Sequence, residues 1–235
     1  MQERRVEEYP AVMKIPGVIE KLCLWMDDVA RGGPANMAVD EWLLETAEVA
    51  HLRVYPWEKN WGSYGYFVPD AEAAKSLAGL NRVRRWTGGG IVDHRSDWTY
   101  TLVIPRGERL AELRGAESYR VIHLALADAL RAGGIACEVA GARSAMPGGD
   151  CFQRPVEFDL LGAGGDKVAG AGQRRTARGL LHQGSLALKG DDDLGRRLAG
   201  FLAREVRATA IRVDERRVGE LALKRYAAIE WRDRR

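Results

Sequence analysis

Arg84-Arg85-Trp86-Thr87-Gly88-Gly89-Gly90-Ile91-Val92-Asp93-His94 is the stretch from which the rest of the sequence is read. Inside a helix or strand, three consecutive glycines would cost about 1 kcal/mol each relative to alanine. They belong where backbone passes close to a ligand or takes a positive φ. A β-type run, Val83 to Trp86, leads in, and a second, Thr99 to Ile104, leads out, so the glycines fall in a loop between strands. Arg84, Arg85 and His94 bring donors to the same place, and successive bare N–H groups form a cradle for an anion or a polar acyl group. The triglycine also reads as an ordinary tight turn, and its meaning depends on what faces it.

Sixty residues on come Asp150-Cys151-Phe152, then Gly165-Asp166-Lys167-Val168-Ala169-Gly170-Ala171-Gly172-Gln173-Arg174-Arg175, then His182-Gln183-Gly184-Ser185-Leu186. Lys167 follows a turn and heads a strand of small residues, which leaves room for a ligand; a lysine there meets a phosphate or a polarised carbonyl, or is simply a solvated charge. Cys23 and Cys137 lie in strand runs, where a thiol acts as a small hydrophobe. Cys151 instead lies in a Gly/Pro-rich loop. If Lys167 is close to it, the positive charge raises the thiolate fraction, and the thiolate can accept an acyl chain as a thioester and pass it to an amine. Lys167 and the Gly88–Gly90 amides would then hold the oxyanion, where one donor is worth ~3 kcal/mol. His94 and His182 either line such a site or are hydrogen-bonded structural residues. No Cys/His spacing suggests a metal.

The set Arg-Arg-x-Thr-Gly-Gly-Gly-x-Val-x-His, Lys-Val-x-Gly-x-x-Gln-Arg-Arg and His-x-Gly-Ser-Leu resembles the biotin/lipoate ligase and octanoyltransferase superfamily, in its lipoate–protein ligase A branch. The resemblance runs from Asn36-Met37-Ala38 and Asp40-Glu41 to Lys224-Arg225-Tyr226 and Trp231. It implies an α+β fold, a mixed and mainly antiparallel sheet flanked by helices. It implies a catalytic pair, Cys151 and Lys167, and substrate-binding residues Arg85, Thr87, Gly88, Gly89, Gly90, His94, Gly170, Gln173 and His182. In this family the lysine at the Lys167 place contacts the carbonyl or phosphate of the activated acyl group. A Cys-Phe pair upstream of it marks octanoyltransferases and related lipoyl amidotransferases, whereas ATP-using ligases commonly carry Asn-Asp. The chain ends soon after Trp231, leaving no room for the accessory domain many ligases have. Both features point to transfer of an octanoyl or lipoyl group to a lysine, without cofactor. The donor would be acyl carrier protein or another octanoyl or lipoyl donor, and the acceptor a lipoyl-domain or glycine-cleavage H-type protein. An ATP- and Mg-dependent ligase, and a non-catalytic acyl- or carrier-binding protein, are the alternatives. The transferases usually read Gly-Ser-Ala-Gln where this chain has Gly170-Ala171-Gly172-Gln173, and Glu157-Phe158-Asp159 is a second departure.

The 235 residues, 46% hydrophobic and 29% charged, suit an ordinary globular chain. Residues 1–18 read as a lead-in broken by Pro10 and Pro16, and 19–235 as a single catalytic domain. No apolar run approaches the ~20 residues of a membrane span, the charged N-terminus lacks a signal-peptide core, and three cysteines make no disulfide framework. A cytoplasmic location is expected. The net charge of +3 and scattered arginines, with a cluster at Arg232, Arg234 and Arg235, do not make a nucleic-acid binder. They suit a protein partner with an acidic face.

The elements expected are strands at Val18–Met26, Leu52–Trp57, Ile135–Val139 and Leu180–Leu188, and a hairpin of Glu157–Leu161 with Val168–Gly170. Helices are expected from a cap at Asn36 to about Val49, over Asp70–Leu80, Glu117–Ala132 and Asp191–Val206, and over much of Val213–Trp231. On the helix after Asn36, periodicity puts Glu41, Glu45 and Glu48 on a solvated stripe and Asp40 in the apolar arc, where it needs a buried partner. Trp61 to Phe67 reads as a ligand-slot wall or as core.

Overall fold

The computed structural model describes residues 17–141, 155–188, 191 and 193–234. Its strands are β1 (Ile19–Met26), β2 (Ala50–Tyr55), β3 (Trp61–Tyr64), β4 (Asn81–Arg84), β5 (Ile91–Asp93), β6 (Trp98–Pro105), β7 (Cys137–Val139), β8 (Leu160–Gly162), β9 (Lys167–Thr176), β10 (Gly179–Leu186) and β11 (Ala203–Ala208). Its helices are α1 (Gly33–Thr46), α2 (Asp70–Ser76), α3 (Arg109–Glu112), α4 (Gly115–Ala132), α5 (Leu194–Leu202), α6 (Glu215–Leu221) and α7 (Ile229–Arg232).

The large sheet has the order β11-β1-β2-β6-β10-β9-β8-β7, and β4-β3-β5 forms a small second sheet. From β2 through β7 every neighbour in the large sheet is antiparallel; only β1 pairs in parallel, with β2 and with β11. The expected α+β class, with a mainly antiparallel sheet, is what the chain adopts.

Side chains alternate across a strand, and here the alternation sorts two cores. Leu52, Val54, Tyr100, Leu102, Ile104, Leu180 and Leu186 pack with Ile122, Leu126 and Leu130 of α4 and Leu194 and Leu198 of α5. Val103 and Leu181 point the other way and pack with Met37, Val39, Leu43 and Leu44 of α1. The second face is also strongly polar. Arg53, fully buried on β2, bonds Asp27 and, at 2.7 Å, Asp40 Oδ1. Asp40 Oδ2 accepts from Thr101, Tyr55 and Gln183. The inward carboxylate read from the helical periodicity has its arginine.

Four expectations are corrected by tertiary context. Helix α1 begins at Gly33 with Pro34 in its first turn, so Asn36 is not the cap; it is buried, its amide donating to Arg31 O and its oxygen accepting from Arg53. Glu41 is not solvated: it is 2% exposed and accepts from Tyr226 and Arg225 of the segment lying over α1. Helix α5 stops at Leu202, because residues 203–208 leave the helix to pair with the free edge of β1, and Phe201 is exposed. The expected final helix is interrupted: α6 passes into a π-helical turn at Ala222–Tyr226 before α7. Among the described residues, no helix is long and apolar enough to cross a membrane.

Candidate active site

A cavity of about 720 Å³ opens between the triglycine loop and strands β9 and β10. Its wall on one side is the loop itself, which joins β4 to β5. Gly89 has φ +88°, a left-handed conformation that disfavours any side chain. Two glycines from elsewhere in the chain admit the loop: a Cβ at Gly65 would collide with the Gly89 carbonyl, and one at Gly172 with the Gly88 carbonyl. Backbone bonds then fix it, Gly65 N–H to Gly90 O at 3.0 Å and Tyr66 N–H to Thr87 O at 2.8 Å.

Arg85 ties the loop from inside. Its guanidinium donates to the carbonyls of Gly88 and Gly90 and to Ser63 Oγ. Burial lowers its pKa to about 10, still far above neutrality, so it remains a cation. Thr87 donates to Gln183 Oε1 at 2.7 Å, and Gln183 donates in turn to Asp40 at 2.7 Å. The buried Arg53–Asp40 pair thereby sets the loop's position through two hydrogen bonds. The carbonyls of Thr87, Gly88 and Gly90 are thus taken up by these donors. Its N–H groups are another matter: Gly88 N–H makes a long 3.5 Å bond to Gln173 O, and no group among the described residues accepts from Gly89 or Gly90 N–H. Both glycines line the cavity.

Lys167 lies on the facing strand, 30% exposed, with Nζ 2.8 Å from Asp159 Oδ2. The ammonium folds back over Gly170, where a Cβ would sit 2.7 Å from it, so the missing side chain makes its place. Asp159 is fully buried and held by three donors, Lys167, Tyr119 Oη and Val156 N–H. Tyr119 also accepts from Ala171 N–H, tying α4 to the middle of β9.

His94, the third side of the cavity, stacks on Trp57 at 3.8 Å between ring centres. Ser63 Oγ lies 2.6 Å from its Nε2 and Asp97 Oδ2 2.8 Å from its Nδ1. The Asp97 carboxylate can only accept, so Nδ1 carries a proton, and in the neutral ring Nε2 then accepts from the Ser63 hydroxyl. Burial lowers the pKa of His94, against the opposing pull of Asp97.

The structure brings Arg85, Gly89, Gly90, His94, Lys167 and Gly170 together around one cavity. Thr87 and Gly88 support the loop from behind. Gln173 and His182 are on the opposite face of the sheet: Gln173 Nε2 donates to His182 Nδ1, and His182 bonds Tyr100 under α4. The register explains this, since Gln173 and His182 pair across β9 and β10, one residue out of step with Gly172 and Gln183. Cys151 lies outside the described residues. Sequence reasoning missed Ser63, Asp97 and Asp159. The His94-x-x-Asp97 spacing was available as a signal; nothing in the sequence joins Asp159 to Lys167 across a glycine turn.

A family model described as the lipoyl protein ligase A/B catalytic domain matches residues 33–227. The octanoyltransferase LipM of Moorella thermoacetica is 36% identical over 172 residues, 67% of this chain and 62% of its own length. That of Brevibacillus brevis is 31% identical over 195 residues, 75% of this chain and 69% of its own. The chain thus spans a little under two thirds of the first of these relatives. A lipoate-protein ligase A solved with bound ATP superposes with a TM-score of 0.72 at 20% identity, covering 91% of this chain and 98% of that one. The bipartite lipoate protein ligase of Thermoplasma acidophilum, described with its E2 lipoyl domain, gives 0.69 at 18% identity, with 91% and 96% covered. At such identities the solved structures speak for the fold.

Proposed function

Because the chain belongs to the lipoyl protein ligase A/B catalytic-domain family, we propose that it is an acyltransferase that moves an octanoyl or lipoyl group onto a lysine of a lipoyl-bearing protein. The observation that carries this reading is that one cavity is lined both by Lys167 and by Gly89 and Gly90, whose N–H groups have no acceptor among the described residues. A carbonyl that becomes an oxyanion needs donors already in place, and one such donor is worth ~3 kcal/mol of barrier. The LipM relatives are named as octanoyltransferases, which supports transfer.

In this reading the Cys151 thiolate attacks the donor thioester and the carrier thiol leaves, with the acyl group on Cys151. The acceptor lysine, as free amine, then attacks the new thioester; an amide forms, the amine gives up a proton and Cys151 is released. Lys167 and the loop amides hold the oxyanion in both steps. Met37, Ile91, Val168 and Ala169 on the cavity wall suit an alkyl chain, which gains ~0.8 kcal/mol for each CH₂ buried. Arg85, Thr87 and Gly88 shape the loop, and His94 lines the cavity. Gln173 and His182 act from behind β9, fixing the strand that carries Gly170. No cofactor enters the scheme.

Incubation with an octanoyl thioester donor, without ATP, should add one octanoyl mass that hydroxylamine removes. Cys151→Ala should form no adduct, while Cys23→Ala and Cys137→Ala should form it. Lys167→Ala should transfer at least ~100-fold more slowly, with some loss of stability because the buried Asp159 carboxylate loses its cation. Transfer at the wild-type rate by Cys151→Ala would end the thioester scheme. If that activity also required ATP and released pyrophosphate, the ligase reading would replace it.

A further inference from the structure

Beside the loop, outside the cavity, three arginines stack on one set of aromatic rings. The Arg174 guanidinium carbon lies 5.4 Å from the Tyr66 ring centre and 5.1 Å from that of Trp86. Arg225 lies 5.0 Å from Trp86 and 5.4 Å from Trp231. Arg234 lies 5.1 Å from Tyr66 and 5.7 Å from Trp231. Phe67, 82% exposed, meets Tyr66 edge-on at 5.0 Å between centres.

The charges on this face are under-compensated. Among the described residues neither Arg174 nor Arg234 has a carboxylate within 4.0 Å, and Arg174 Nε is buried without a partner. Arg225 pairs with Glu41, which is buried and shared with Tyr226. Asp233, close in sequence, is taken by Arg232. Arg175, the next residue on β9, shows the contrast: its guanidinium is bound to the carbonyls of Ala111 and Leu113. Ring stacking holds a guanidinium flat, and among the described residues the terminal Nη1 and Nη2 of Arg174 and Arg234, the edge that takes a carboxylate with two hydrogen bonds, meet no acceptor. The face also touches the site, since Trp86 leads directly into Thr87-Gly88 and Arg174 stands two residues beyond Gly172, which abuts Gly88.

We propose that this basic–aromatic face is where the acceptor protein docks through a carboxylate-bearing surface, so that its lysine reaches the cavity past the triglycine loop. The inference rests on the acyl-transfer reading for the partner's identity. A protein is favoured over a nucleic acid because the rings are already capped by guanidiniums and are not free for base stacking. Phe67 adds one protruding apolar anchor, the usual centre of a protein contact.

The test is direct titration of the protein with an isolated lipoyl-bearing domain of acidic net charge, across a salt series. Arg174→Gln/Arg234→Gln should raise Kd about tenfold and flatten its salt dependence, with the transfer rate at saturating domain unchanged. Phe67→Ala, at a surface position where folding is not at stake, should raise Kd several-fold and leave the salt slope alone. Arg196→Gln on α5, across the sheet, should change nothing. Binding by both variants equal to wild type, with an equal salt slope, overturns the proposal, as does tighter binding of a single-stranded oligonucleotide than of the domain. A wild-type protein that binds the domain in this salt-dependent way but transfers no acyl group refutes the acyl-transfer reading and leaves the docking face standing.

Discussion

Lys167 Nζ stands 2.8 Å from Asp159 Oδ2, and the carboxylate is fully shut off from water. Asp159→Asn keeps the shape and removes the charge that anchors the ammonium. It should lower kcat roughly 10- to 100-fold with little change in KM for the acyl donor, because a lysine free to swing no longer waits at the developing oxyanion. Steady-state kinetics alongside a melting curve checks this. An unchanged kcat would mean that Gly170 and the strand alone place the lysine.

The loop should be more sensitive at its neighbours than at its own first glycine. A Cβ built at Gly88 meets nothing within 4 Å, whereas one at Gly172 meets the Gly88 carbonyl. Gly172→Ala should therefore cost about 1–3 kcal/mol of stability and more than tenfold in transfer rate, and Gly88→Ala much less of either. Equal effects would show that the loop is free to shift.

Asp40→Ala should lower stability by about 3–5 kcal/mol, since it strips Arg53 of one carboxylate inside the fold. It also frees Gln183 and Thr87, so a smaller fall in rate should accompany the fall in melting temperature. A wild-type melting temperature would contradict the network.

All four histidines are held below their ordinary pKa of 6.5, each mainly by burial, with His123 pushed down to about 4. A base that is harder to protonate when folded binds more protons when unfolded. Its contribution is therefore complete above pH 6.5 and is lost as pH falls towards the folded values. For His123 alone the loss amounts to about 3 kcal/mol by pH 4. The melting temperature should fall steadily from pH 7 to pH 4.5, and His123→Gln should flatten that slope. A flat profile in the wild type would remove the buried neutral histidines from the account.

The residues whose partners are near in sequence, or lie on one regular face, were legible. The triglycine announced a loop between strands because no helix or strand tolerates it, and α4 was legible because Tyr119, Ile122, Leu126 and Leu130 repeat on one face. Asp40 was legible as a buried carboxylate for the same reason. Glu41, its neighbour, was not: the chain that covers it returns from residues 225 and 226, and a helical wheel of α1 carries no trace of that cover. Residues 203–208 were lost in the same way, since their strand exists only because β1 offers an edge. Gln173 and His182 show a third limit. Family patterns mark which positions matter, while strand register decides which side of the sheet they act from.

The loop is cast in a mould of two voids. Gly65 and Gly172, 107 positions apart, supply the empty space that its carbonyls occupy. An engineer who grafts residues 84–94 onto another scaffold therefore carries away half of the device. The portable unit is the loop together with its two absences, and a library meant to reshape substrate choice should vary the loop and both distant glycines in concert.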